Sequence, residues 1–172
     1  MKTIKNLVLS VIVAAFGLGA QAQASKTVVE NAIASKNHTT LVAAIKAAGL
    51  VKTLSGKGPF TVFAPTNAAF AKLPAGTVES LLKPENKAKL QAILTYHVVA
   101  GNLNSKAVIA AIKAGKGKAV LTTVQGGKLT GSLKGKNVIL TDENGNVSTI
   151  TAVDIKSSNG IIHVIDTVVL PK

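Results

Sequence analysis

The hydrophobic period of this chain changes near Gly117, and that change limits the folds open to it. Before Gly117, alanine-rich segments repeat apolar residues at helical spacing. "TVVENAIAS" (27–35) sets Val28 and Ile33 on one apolar face, and "HTTLVAAIKAAGL" reads as a helix capped by Thr39 or Thr40 and closed by Gly49. "AGTVESLLK" and "PENKAKLQAILTYHV" follow as helices, the second with Pro84 near its first position, and "SKAVIAAIKAG" (105–115) is another with Ser105 as its cap. One short strand, "GPFTVFAP", interrupts them, and Thr66 in "TNAAFAKLP" is placed to cap a turn or two of helix. After Gly117 come the β-branched runs "KAVLTTVQ", "GKLTGSLK", "KNVILTD", "NVSTITAVDIK" and "GIIHVIDTVVLP". Glycine-containing turns separate them, and Asn144-Gly145 is the strongest hairpin signal. Helices first and a mostly antiparallel sheet second predict the α+β class. No internal repeat or low-complexity linker divides the chain.

Residues 1–24 have the layout of a secretory signal. Lys2 and Lys5 precede a 13-residue apolar run, Leu7 to Gly19, and "AQAQA" offers cleavage after Ala22 or Ala24. The run is too short for a stable bilayer anchor, and no later stretch reaches transmembrane length. Residues 25–172, about 148 in number, suffice for one domain and are too few for two well-filled cores. The expected location is outside the cytoplasm: periplasmic, extracellular or bound to the cell surface. With no cysteine anywhere, disulfides, thiolate metal sites and a lipidated cysteine are excluded.

The charge is unusual in kind as well as size. All 20 basic residues are lysine, and 18 of them lie in residues 25–172 against seven acids, a net charge of +11. Such a field draws a protein toward anionic polymers, though a solubilising basic shell has the same composition. Specific nucleic-acid recognition fits poorly. Bidentate readers of phosphate or guanine are usually arginines, and Phe60, Phe63, Phe70 and Tyr96 are too few for a base-stacking platform.

Catalytic and metal-binding patterns are missing. His38, His97 and His163 stand far apart, with no HxH, HxxxH or HExxH spacing, and "DENGN" (142–146) reads as a hairpin turn with no calcium-ligand ladder. Ser80 and Lys83 meet an SxxK spacing without its companion motifs, and no GxSxG or phosphate loop occurs. No cofactor, metal or catalytic residue is therefore expected. "TYHVVAGN" (95–102) sets the only tyrosine beside a histidine in an aliphatic run. In an extended "YHVVAG", one of the two would bury and the other lie nearer the surface. The pair can be a polar clamp, a binding epitope or a catalytic dyad. A buried imidazole needs both nitrogens hydrogen-bonded, to backbone carbonyls or a hydroxyl of the "APTN" turn, so the clamp is the first reading.

Three stretches together resemble the fasciclin (FAS1) domain. "GPFTVFAPTNAAF" (58–70) is similar to its first signature motif and "LTYHVVAGNL" (94–103) to its second. "AVDIKSSNGIIHVIDTVVLP" (152–171) is similar to its C-terminal segment, including Asp154, Asn159, Gly160, His163 and Asp166. The resemblance implies a single α+β domain, a β-wedge of about seven short strands packed with a cluster of N-terminal helices. It also implies a secreted, non-catalytic module of cell adhesion or extracellular matrix, whose partner is a surface or matrix protein or polysaccharide. In animal members, integrin recognition is attributed to a Tyr-His motif and to an Asp-Ile pair. Tyr96 with His97 and Asp154 with Ile155 match these, so the four are the implied binding residues. This chain departs from those members in its single copy, its lack of cysteine and its bacterial type of signal. Pro65, Thr66, Asn67, His97, Asn159, Gly160, His163 and Asp166 are the expected structural residues. Thr66 and Asn67 would tie down the loop beside the "YHVVAG" strand, Asn159-Gly160 would form a tight turn, and Ile155 would be buried while Asp154 caps a neighbouring backbone. The alternative is a binder of a small apolar ligand, held in a groove between helices and sheet.

Overall fold

The structure, a computed structural model, describes residues 25–172; the expected signal segment lies outside the described residues. Seven strands form one sheet in the order β2-β1-β7-β6-β5-β4-β3. Here β1 is Phe60–Pro65, β2 Val98–Ala100, β3 Lys118–Thr122, β4 Lys128–Lys134, β5 Asn137–Thr141, β6 Val147–Ser157 and β7 Gly160–Ile165. All neighbours are antiparallel except β1 and β7, which run parallel from Phe60↔Gly160 to Pro65↔Ile165. The sheet curls until its two edges meet at a Val99–Thr123 bridge, where the Val124 N–H donates to the Val98 carbonyl at 2.7 Å. The expected α+β wedge of seven strands is thus the observed architecture.

Strand composition explains which strands lie where. In β3, β5 and the first part of β4 every second residue is buried, so Ala119, Leu121, Leu129, Val138 and Leu140 point into the wedge. The other face turns lysines, threonines and Val120 to water, and Leu133 is exposed where β4 ends. β1 and β7 are apolar on both faces, which suits strands covered on both sides. Phe63 and Ile165 join the core inside the wedge, whereas Val62, Ala64 and Ile162 join a second core beneath the helices. The helices over that second core are α1 (Val28–Ala34), α2 (Thr39–Ala48), α3 (Val51–Leu54), α4 (Asn67–Ala71), α5 (Thr77–Leu81) and α6 (Lys87–Tyr96). α7 (Ser105–Ala114) stands apart and plugs the wedge with Val108 and Ile112.

Several helix starts differ from expectation, each for a local reason. Neither Thr39 nor Thr40 caps α2; the helix begins at Thr39, and the acceptor for the Thr40 N–H is Asn67 Oδ1 at 3.0 Å, supplied by α4. Pro84 opens a short 3-10 turn, Pro84–Asn86, and α6 proper starts at Lys87. Asn104, one residue earlier than expected, caps α7 by accepting the Ala107 N–H at 2.8 Å. Ile33 does not join the apolar face of α1 and is 53% exposed, because the helix is only seven residues long and packs through Val28, Val29 and Ala32. Gly49 does take the left-handed conformation (φ 70°) that ends α2.

Candidate functional site

The Tyr-His pair lies where α6 ends and β2 begins. Tyr96 is the last helical residue and His97 the cap, so their side chains leave the chain in directions set by a helix end and not by a strand. Both are buried, contrary to the expectation that one would lie nearer the surface. The sheet closes around this helix end and covers both sides. Tyr96 enters the wedge core, where its hydroxyl donates to the Lys128 carbonyl at 2.6 Å and accepts the Glu143 N–H at 3.2 Å. Burial pushes the phenol up to about 12, so it stays neutral. The His97 side chain accepts the Val169 N–H on Nε2 at 3.3 Å and donates from Nδ1 to the Ile93 carbonyl at 2.8 Å. Its own carbonyl accepts the Phe63 N–H at 2.9 Å. One residue therefore ties the first signature motif, the end of α6 and the C-terminal segment together.

That geometry suits a neutral imidazole. With Nδ1–H committed to Ile93, a second proton would have to sit on Nε2 against the Val169 N–H. Burial lowers the His97 pKa to about 4, against the opposing pull of the Ile93 carbonyl and the Asp142 charge. His38, buried with Nδ1 2.8 Å from Ser35 Oγ, moves the same way. There desolvation outweighs the Ala64 carbonyl, which makes no full hydrogen bond to the ring. The unfolded chain takes up a proton on His97 near pH 6.5, the folded chain only near pH 4. Stability is then fully present above pH 6.5 and falls as the pH drops toward 4. Denaturant melts at pH 5 are expected to show about 2 kcal/mol less stability than at pH 7. Equal stability at the two pH values would contradict a buried neutral ring.

The C-terminal motif is held by a second group of polar contacts. Asp154 adopts a positive φ of 59° where β6 is interrupted by two register shifts, between Ile150 and Ala152 and between Ala152 and Ile155. From there its carboxylate accepts the Ser105 N–H at 2.7 Å and the Ser105 hydroxyl, fixing the first turn of α7. Burial raises its pKa, but the Ser105 hydrogen bonds, with His163 and Lys156 nearby, bring the carboxyl below the usual range. The same shifts break the alternation of β6 and leave Ile155 38% exposed, not buried as expected. His163 Nε2 donates to the Leu103 carbonyl at 2.7 Å, its Nδ1 faces the Asp154 N–H at 3.4 Å, and its ring stacks on Phe63 with centroids 5.7 Å apart.

Ser158 and Asn159, not the expected Asn159-Gly160 pair, make the turn between β6 and β7, because Gly160 already pairs with Ser157 as the first residue of β7. Asn159 uses its amide in full. Oδ1 accepts the Val28 N–H at 2.9 Å, and Nδ2 donates to the carbonyls of Leu54 (2.8 Å) and Gly56 (2.9 Å). Asp166 accepts the Thr149 N–H at 2.8 Å and pairs with Lys72 at 3.8 Å. Pro65 is buried at the end of β1, and Thr66 caps α4 by accepting the Ala69 N–H at 3.2 Å. Asn67 does not reach the "YHVVAG" strand; its amide donates to the Lys36 carbonyl at 3.1 Å and so secures the start of α2. The four implied binding residues fall into two separate settings: Tyr96 and His97 inside, Asp154 and Ile155 at the irregular stretch within β6.

Asp142 escaped the sequence reading. Almost fully buried, it accepts the N–H groups of Asn144 (3.0 Å), Asn146 (2.8 Å) and Leu170 (2.9 Å) and the Asn146 side-chain amide (2.9 Å). An aspartate two places before the turn asparagine is the signal that could have marked it. Asp142→Ala is expected to cost about 2 kcal/mol by freeing the C-terminal segment from the β5–β6 hairpin; an unchanged thermal midpoint would contradict this. Thr61, fully buried, also went unmarked; it donates to the Gly101 carbonyl at 2.8 Å and accepts the Leu103 N–H at 2.9 Å.

Among the described residues, two clefts open on the surface. The larger, about 730 Å³, runs past Ser55, Lys57, Pro59, Asn102 and Ser158. The smaller, about 360 Å³, is lined by Gly76, Thr77, Ser80, Leu81, Asn86 and Lys89. Among the described residues no helix is long and apolar enough to cross a membrane.

Comparison with known proteins places this arrangement. A family model described as the Fasciclin domain matches residues 36–171. Protein sll1483 of Synechocystis is 49% identical over 152 residues, covering 88% of this chain and 77% of that one. The transforming growth factor-beta-induced protein ig-h3 of Sus scrofa is 38% identical over 84% of this chain but only 19% of its own length. The immunogenic protein MPB70 of Mycobacterium bovis is 36% identical over 81% of this chain and 68% of its own. A solved FAS1 domain pair from the insect cell adhesion molecule Fasciclin I superposes with a TM-score of 0.74 at 19% identity, over 86% of this chain and 51% of that one. The chain belongs to the Fasciclin domain family.

Proposed function

We propose that this protein is an exported, non-catalytic adhesion module that holds an anionic matrix or surface polymer on its exterior. A single contrast carries the reading. Tyr96, His97, Asp154, Asn159 and His163 of the signature motifs are spent on internal hydrogen bonds, whereas all 18 lysines of residues 25–172 are exposed. Tyr96, His97, Asp154 and His163 act in this reading as clamps of the fold, not as an epitope. Relatives bear names that fit: a cell surface glycolipoprotein of Mycobacterium bovis is 37% identical over 71% of this chain, and the solved fold comes from a cell adhesion molecule. A pocket for a small apolar ligand has less support, because both clefts are open and rich in serine, threonine, asparagine and glycine.

The test is a titration of the protein, recovered after export, against carboxylated, sulfated and neutral polysaccharides at two salt concentrations. Binding to the charged polymers that weakens at least tenfold from about 50 to 200 mM salt is expected for a contact carried by several lysines. Equal binding to neutral and anionic polymers would overturn the electrostatic reading.

A further inference from the structure

Resting on that reading, we propose that an anionic polysaccharide docks at one end of the wedge, where the turn after α7 meets the β4–β5 hairpin. Five lysines gather there. Lys113 is in the last turn of α7, Lys116 and Lys118 follow it, and Lys134 and Lys136 flank Gly135 in the hairpin. Strand register brings the two groups together. Lys118 pairs with Ser132, and Lys134 lies two residues further along the same outward face, a diagonal of roughly 7–8 Å between backbones. Ala119, Leu129 and Gly131 occupy the buried face, so Lys118, Ser132 and Lys134 all point to solvent.

No acid balances these charges. Asp142 and Glu143 lie at the far end of β5, Asp154 is bound by Ser105, Asp166 pairs with Lys72, and the remaining three acids sit on or beside the helices of the other half. The α7 C-terminus gives Lys113 a structural reason to be there, since helix ends favour cations, but it does not account for the hairpin lysines. Lys116 holds a positive φ of 56° between Gly115 and Gly117, a conformation that costs a lysine more than a glycine. Stability alone does not select a lysine at that position.

The chemistry of this surface favours a polysaccharide over other polyanions. Compact, strongly hydrated ammonium groups suit separated carboxylates or sulfates, while the bidentate fork used for phosphate is lacking. Among the described residues, no exposed aromatic residue offers a base-stacking platform or a wedge into lipid. Beside Lys118, Ser132 presents a hydroxyl for a sugar hydroxyl, and Thr130 and Thr141 follow on the same face further from the hairpin, next to the side chains of Val120 and Ile139.

The test compares three proteins for binding to polygalacturonate, duplex DNA and anionic phospholipid vesicles. They are the wild type, a variant with Lys113, Lys116, Lys118, Lys134 and Lys136 changed to Gln, and a charge-matched control with Lys36, Lys46, Lys52, Lys83 and Lys89 changed to Gln. The first variant should lose tenfold or more in affinity for polygalacturonate and the control less than threefold. Equal losses would overturn this docking site and leave the proposed function standing; no binding by the wild type to any polyanion would overturn both. Tighter wild-type binding to DNA or vesicles than to polygalacturonate would overturn the choice of partner. Should the five-fold variant fail to fold, Lys134→Gln with Lys136→Gln changes only the hairpin end, and at least a threefold loss is expected. Unchanged affinity there would count against the site.

Discussion

Replacing His97 by alanine is expected to lower stability by about 3–4 kcal/mol. The ring is buried, so its removal leaves a cavity that the closed sheet has little freedom to fill. It also strands two backbone groups, the Ile93 carbonyl and the Val169 N–H, whose partners are its two nitrogens. Glutamine can meet one of them and should recover part of the loss. Either substitution removes a group with a depressed pKa, so the stability difference between pH 7 and pH 5 should shrink. Urea melts at both pH values check this. A His97→Ala protein with wild-type stability would contradict the clamp, and an unchanged pH dependence would reassign that effect to His38.

Gly160→Ala is expected to cost about 3 kcal/mol or more, or to prevent folding. Gly160 opens β7 opposite Phe60 of the parallel strand β1, and a Cβ there would overlap the Phe60 carbonyl. The obstacle is backbone, which cannot swing aside as a long side chain would. Relief requires β1 and β7 to separate at the end where Asn159 also binds Phe60 through its carbonyl, at 3.0 Å. Thermal melts of the purified variant measure the effect. A midpoint within a degree or two of wild type would show that the parallel pair is looser than described.

Much of this fold was legible because its period is plain. The helical spacing before Gly117, the β-branched runs after it, Gly49 and Asn144-Gly145 each found their expected place. What escaped were contacts made across the chain. Asn67 supplies the N-cap that Thr39 and Thr40 were expected to provide, a service no local pattern announces. Ile155 faces outward because two register shifts and a left-handed Asp154 reset the alternation of β6, and a register shift leaves little trace in a single sequence. Tyr96 and His97 both bury because β2 and β3 close the sheet around them, a fact of topology and not of the motif. Asp142 shows the opposite case. Its turn was recognised, but its reach to Leu170 joins segments 28 residues apart.

The central claim is that the signature residues hold the fold while the exterior holds the partner. Tyr96→Phe tests it most directly, since it keeps the ring and removes only the hydroxyl that bridges Lys128 and Glu143. Its melting point and its affinity for polygalacturonate would be measured beside wild type at a temperature where both are folded. A lower melting point with affinity within about twofold is the predicted result, as loss of a buried hydrogen-bonding hydroxyl costs roughly 1–2 kcal/mol. Lost affinity with an unchanged melting point would make the Tyr-His pair an epitope and contradict the account.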